Sequence, residues 1–327
     1  MPFEFRPAIR ENVGLLIGLS GGSGSGKTWS AMLLAKGISG AKRFCVLDTE
    51  AGRARHYADQ FTFDHGDLGP PFTPARYSEA ITAADKAGYA AIVVDSASHE
   101  YAGEGGVLEM QEAELERMAK GDDRRRETMK MSSWIRPKME HKKFIQKLLQ
   151  IRAHLILCFR AEPKVEAVKD EHGKLIWREK QSLVGLNGWI PVCEKNMPYE
   201  LTISFLLMAD RPGVPIPIKL QEQHKAIFPL DKPITEESGR LLAAWAHGAS
   251  EQPTMNLSEA TTSTWLKRIA EAKTRKDLET INGEIAAAKA MLSAPQKTTL
   301  RNAVKQKSNT LPRTTAGGVK QSDIRWS

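Results

Sequence analysis

Residues 15–37 read LLIGLSGGSGSGKTWSAMLLAKG, and no other stretch restricts the fold as much. An apolar run, 15–20, passes through a glycine-serine loop into an apolar-periodic segment that opens with Lys27 and Thr28. The short apolar run reads as a buried strand and the periodic segment as a helix. A strand that feeds through a tight loop straight into a helix is the first half of a βαβ unit, and its next strand runs parallel to the first. The pattern then repeats. Strands are expected at 15–20, 43–48, 90–95 and 154–160, and helices at 27–38, 76–87 and 133–150. The strands are rich in Ile, Leu and Val without alternation, as in sheets covered on both faces. The expected class is α/β, with a mostly parallel, doubly wound sheet.

The loop itself has the spacing Gly21-x-x-x-x-Gly26-Lys27-Thr28, the Walker A pattern, in the strand-loop-helix context that pattern requires. Gly21, Gly22, Ser23, Gly24, Ser25 and Gly26 have small or no side chains, so their backbone N–H groups can curl around phosphate oxygens. The helix N-terminus adds partial positive charge. Lys27 is placed to reach the β- and γ-phosphates of ATP, and Thr28 to ligate Mg²⁺. Asp95 ends the strand AAIVVD, where the Walker B aspartate that holds Mg²⁺ through water belongs. In many P-loop ATPases a glutamate follows that aspartate and acts as base, but here Ser96 follows. Glu50, just past the second strand in VLDTEAGRA and expected beside the P-loop, supplies the alternative carboxylate for polarising the attacking water.

The chain has 327 residues, 41% hydrophobic and 26% charged, enough for one large domain and an accessory piece. No apolar stretch has the length of a membrane span, and the N-terminus lacks a signal-peptide core, so a cytoplasmic protein is expected. The three cysteines, Cys45, Cys158 and Cys193, suit a reducing compartment. With His99 and His141 they show no ligand spacing, and no metal beyond Mg²⁺ is expected. Net charge is +8, and residues 251–327 carry 13 Lys/Arg against 7 Asp/Glu. Such a balance suits a polyanionic partner.

The expected organisation is a leader at 1–13, a core at 14–247, a linker at 248–258, a helical domain at 259–307 and a disordered tail at 308–327. Within the core, residues 164–178 read as a hairpin turning about Asp170–Gly173, and 200–208 and 216–228 as further strands. Lys164, Lys169, Lys174, Trp177, Arg178 and Lys180 interleave cations with an aromatic, which suits single-stranded DNA. Residues 103–131 form a charged insertion, acidic first and then Arg124, Arg125 and Arg126, expected as a solvated helical lid or, alternatively, a DNA or subunit contact. In the last quarter, Trp265, Leu266 and Ile269 suggest one helix, and Leu278, Ile281, Ile285, Ala288 and Leu292 give a second its apolar face. Ser293, Pro295 and Gln296 read as the start of a third.

The chain resembles the RecA-like P-loop ATPases, through VLDTEA around Glu50 and IVVDSAS around Asp95. More closely it resembles phage-encoded RecA-like ATPases grouped as AAA-domain proteins, which include single-strand annealing recombinases. The segments that carry this are FEFRPAIRENV, GGSGSGKTWSA, VLDTEAGRARHYAD, VVDSASHEYAGEGGVLEM and LILCFRAEPK, and the likeness spans residues 3–245. It implies an ATP- and Mg²⁺-dependent homo-oligomer in the cytoplasm of a bacterial host, acting on single-stranded DNA, with a single-strand DNA-binding protein as a further partner. A helicase-like or loader motor, or a nucleotide-dependent scaffold, remains open. The resemblance gives Arg160, at the end of the fourth strand, a γ-phosphate-sensing role, although RecA has glutamine there. Phe5-Arg6-Pro7-Ala8 matches the F-x-x-A form that docks one subunit on the next in eukaryotic recombinases.

Overall fold

The structure, a computed structural model, describes residues 14–169, 171, 173–179, 188–248, 265–272, 274–287 and 294–310. The chain divides into two compact units, Met1–Gln252 and Pro253–Ser327. The leader with its F-x-x-A segment, Lys180, nearly all of the linker, Ala288, Leu292, Ser293 and the tail beyond Thr310 lie outside the described residues.

In the first unit the elements follow as β1 (Leu16–Gly21), α1 (Lys27–Ser39), β2 (Phe44–Asp48), β3 (Phe63–Asp67), α2 (Pro74–Lys86), β4 (Ala91–Asp95), the short α3 (His99–Ala102), α4 (Val107–Ala119), α5 (Asp123–Met129) and α6 (Ile135–Leu148). Then come β5 (His154–Pro163), β6 (Val165–Lys169), β7 (Leu175–Glu179), β8 (Trp189–Pro191), α7 (Met197–Glu200), β9 (Ile203–Leu207), β10 (Ile216–Lys219) and α8 (Glu236–Ala246). The sheet order is β10-β9-β1-β5-β4-β2-β3, parallel from β9 to β3. β10 is antiparallel to β9, and β8 pairs antiparallel with the outgoing end of β5. The fold is the expected α/β class, a mostly parallel sheet with helices on both faces.

Successive strand residues point to opposite faces, so one face takes Ile17, Leu19, Val46 and Val93 and the other takes Leu16, Leu47, Ile92 and Val94. α1 and α8 cover the first set, and α2 and α6 cover the second through Tyr77, Ile81, Phe144 and Leu148. β1, β2 and β4 are buried almost throughout, which is why they stood out as apolar runs. β3 (FDHGD) is a half-exposed edge strand, and its polar composition hid it.

Two readings change. The stretch 216–228 is a strand only over Ile216–Lys219, and Glu222–Ile227 is a 3₁₀ turn. The register shifts between Pro217 and Lys219, where proline brings no N–H to the ladder. The insertion is helical but not wholly solvated, because Val107, Leu115 and Ala119 are buried. Arg126 pairs with Glu112 and Glu116 across α4 and α5, and Glu114 pairs with Arg117 at 2.6 Å. α8 is not expected from the sequence, and it carries an interior glycine that weakens any local helix signal.

That glycine has a packing reason. A Cβ on Gly239 would collide with the Leu34 carbonyl of α1, and one on Gly37 with the Glu236 carbonyl of α8. The two helices approach backbone to backbone. Gly37→Ala is expected to lower the stability of the full chain by about 1–3 kcal/mol, the range for overpacking. Urea unfolding checks it, and an unchanged midpoint would mean that α8 can move away without loss.

In the second unit, α9 (265–271), α10 (Arg275–Ala287) and α11 (Ala294–Thr310) surround Trp265, Ile269, Leu278, Ile281, Ile285 and Leu300. Among the described residues no helix is long and apolar enough to cross a membrane.

Candidate nucleotide site

β1 ends at Gly21 and α1 begins at Lys27, so Gly22–Gly26 form the loop at the C-terminal edge of the sheet. Gly26 caps α1 with φ 84°, a left-handed conformation that favours glycine. The first turn of α1 carries no acidic residue, which leaves its positive end unneutralised. The Gly22 carbonyl accepts from Lys27 Nζ at 2.8 Å and from Ser25 Oγ at 2.9 Å. The ammonium thus lies over the loop, held by a neutral carbonyl that an anion can outcompete.

Thr28 Oγ1 donates to Asp95 Oδ2 at 2.6 Å, across 67 residues of sequence. Burial pushes the Asp95 carboxyl up to about 6, and the Thr28 hydrogen bond works against that. A hydroxyl and a carboxylate side by side are the hard oxygen donors that Mg²⁺ takes, and the lysine across the loop supplies the positive charge for a nucleotide's phosphates, so these residues fit Mg-ATP. The end of β4 is held firmly. Thr49 Oγ1 accepts from the Ser96 N–H at 2.8 Å, and Tyr77 donates to the Ser96 carbonyl at 2.8 Å.

β2 is separated from β1 by β5 and β4, so Glu50 does not stand on the strand next to the P-loop. It reaches the same edge from across β4. Asp48, two residues before it, stands opposite Asp95 in the β2–β4 register, and Arg160, its partner, stands opposite Gly21 in the β1–β5 register. Arg160 donates to Glu50 Oε1 at 2.7 Å and Arg53 to Oε2 at 2.8 Å. Burial opposes the Glu50 charge, but Arg160 and then Arg53 hold its carboxyl below the usual value. Its backbone is fixed by Asp48, which is 1% exposed. Asp48 accepts the Glu50 N–H at 2.6 Å and the Ala54 N–H at 2.8 Å, with His65 Nε2 3.2 Å away.

The structure therefore brings together Lys27, Thr28, Asp95, Glu50 and Arg160. Sequence reasoning missed Arg53, Asp48 and an aromatic ledge. Trp29 is 42% exposed immediately after Thr28, and its ring lies 4.9 Å from Phe61 and 6.0 Å from Tyr57. The only available signal was an aromatic where small or aliphatic residues would serve a helix start. Beyond Arg160, β5 runs on into the β6–β7 hairpin. There Trp177 is 69% exposed, beside exposed Val165 and Leu175, with Lys164, Lys174 and Arg178 also at the surface. Trp177 belongs to the separate two-stranded sheet of β6 and β7.

No curated protein matches the chain. A family model described as AAA domain matches residues 14–186, more than half of the chain, from the start of β1 past the end of the hairpin. The matched stretch contains the P-loop, Glu50, Asp95 and Arg160, so the chain belongs to the AAA domain family of P-loop ATPases.

Proposed function

We propose that this AAA-domain protein hydrolyses Mg-ATP and acts on single-stranded DNA, as a RecA-like homo-oligomer in phage or prophage recombination or annealing. The observation that carries the reading is Arg160. Its side chain pairs with Glu50 at the nucleotide edge, while its own strand continues into the hairpin bearing exposed Trp177 and cations. One strand end thus links the hydrolytic carboxylate to a surface suited to a polyanion with stacking bases.

In this reading Lys27 and the α1 N-terminus bind the phosphates, and Thr28 and Asp95 hold Mg²⁺. Bound Mg²⁺ neutralises charge on the phosphoryl oxygens. Glu50 orients the attacking water and accepts its proton. Trp29 and Tyr57 offer aromatic faces near the loop for the base. Arg160 exchanges its bond to Glu50 for one to the γ-phosphate, which ties nucleotide state to the hairpin.

The test is ATP turnover by the full chain with and without single-stranded DNA, at several salt concentrations. DNA should stimulate turnover, with affinity falling steeply as salt rises because phosphate contacts release counterions. Trp177→Ala should cost about 1–3 kcal/mol of DNA affinity, the worth of one stacked base. Processive unwinding would favour a motor. Turnover indifferent to any DNA would favour a scaffold and overturn the DNA reading.

A further inference from the structure

The β6–β7 hairpin has a second link to the nucleotide loop, through β8. Trp189 opens β8, and the rim of its indole, at Cζ3 and Cη2, lies so close to Gly22 that a Cβ there would meet it at 3.3–3.4 Å. Gly22 is the loop residue whose carbonyl holds the Lys27 ammonium at 2.8 Å. A phosphate in the loop draws that ammonium away, since a charged acceptor binds it more strongly than a neutral carbonyl. The peptide under Trp189 is thus one whose bonding must change when an anion binds.

The other edge of β8 meets the root of the hairpin. Trp189 stands opposite Pro163, Ile190 opposite Glu162 and Pro191 opposite Ala161. The Gly188 carbonyl accepts the Lys164 N–H at 2.8 Å, and the Val192 N–H donates to the Arg160 carbonyl at 2.7 Å. Lys164 leads directly into β6. The segment after β8 is anchored separately. Glu194, buried, accepts the Asn196 N–H at 2.6 Å. His141 of α6 stands between Glu194 and Glu100 of α3, with Nδ1 2.9 Å from Glu100 Oε1 and Nε2 4.0 Å from Glu194 Oε2. Buried carboxylates separated from their partner are heavily penalised, so this cluster pins one end of the segment to the ATPase core. The Trp189 end is left as the part that follows the loop.

We propose that β8 is a leg through which the phosphate state of the P-loop sets the order of the β6–β7 hairpin, with Trp189 as its positioning residue. This rests on reading residues 21–28 as a phosphate-binding loop. It adds to the Arg160 link a second contact, on the opposite side of β5, so that both flanks of the hairpin root report on the nucleotide.

The test is amide hydrogen exchange of the full chain with no nucleotide, with ADP plus Mg²⁺ and with a slowly hydrolysed ATP analogue plus Mg²⁺. In the wild type the two nucleotides should change exchange of the 165–169 and 175–179 amides by at least about fivefold, as for a locally opening element whose anchor shifts. Trp189→Leu, which keeps apolar cover but loses the aromatic ring, should cut that difference to less than about twofold while nucleotide still raises the melting temperature. Trp189→Phe should restore it, which a general packing defect would not allow. An undiminished difference in Trp189→Leu overturns the proposal. So does a wild type whose hairpin exchange ignores nucleotides that do raise its melting temperature. A wild type whose melting temperature no nucleotide raises removes the phosphate-loop reading itself, and the leg with it.

Discussion

Glu50→Gln is expected to lower ATP turnover by about 10²–10⁴-fold, the usual contribution of a positioned base, while Mg-nucleotide binding changes little. The amide fills the same space and can still be held by the Asp48 contacts to its backbone. It cannot take a proton. Single-turnover hydrolysis, with nucleotide affinity measured alongside, separates chemistry from binding. The rival carboxylate is Glu100, five residues beyond Asp95. It is 3% exposed and spent on His141 at 2.9 Å, so Glu100→Gln should cost stability before chemistry. If Glu100→Gln stops hydrolysis and Glu50→Gln does not, the base has been assigned to the wrong strand. The pH profile gives a second check. Glu50 is held below its ordinary value, so it remains ionised as pH falls from neutrality. Asp95 is raised to about 6 and must lose a proton to take a cation. An acid limb near that pH should therefore reflect metal binding, and excess Mg²⁺ should move it to lower pH.

Lys27→Ala is expected to lower turnover by about 10²–10³-fold, the cost of losing one preorganised charge on a transferring phosphoryl group, and to weaken nucleotide binding as well. The fold should survive. The Gly22 carbonyl that loses Lys27 keeps the Ser25 hydroxyl at 2.9 Å, and the lysine makes no ion pair among the described residues. Thermal melts without nucleotide should match the wild type, and the shift that nucleotide produces in the wild type should vanish. Wild-type turnover in this variant would remove the phosphate-binding assignment of residues 21–28.

Much of the site was legible because its signals are local. Gly26 with φ 84°, Lys27 and Thr28 lie within one turn of chain, and their spacing alone gives the Walker A pattern. Asp95 was legible because a carboxylate at the end of an apolar run breaks a pattern. Glu50 was found by elimination once Ser96 stood where a glutamate is common, but its distance from the loop strand was misjudged. Arg53 looked like any surface arginine, and Asp48 like the polar end of a strand. Their roles depend on how the chain after β2 folds back through the 3₁₀ turn Arg53–Tyr57, and composition does not encode that. β3 escaped for a related reason, because an edge strand needs no apolar run to earn its ladder.

The sequence by itself determined the alternation of strands and helices, the glycine-rich loop between β1 and α1 and the carboxylate that ends β4. Hydrophobic periodicity and glycine spacing are properties of neighbouring residues, and they survive without knowledge of the rest of the chain. The tertiary structure decided the strand order. β5 lies between β1 and β4, and that insertion carries Arg160 to Glu50 across 110 residues of sequence. It also decided that Trp189 rests on Gly22 and that Gly37 meets α8 backbone to backbone. Register and close approach are set by how whole faces pack, and no local window of residues contains that information.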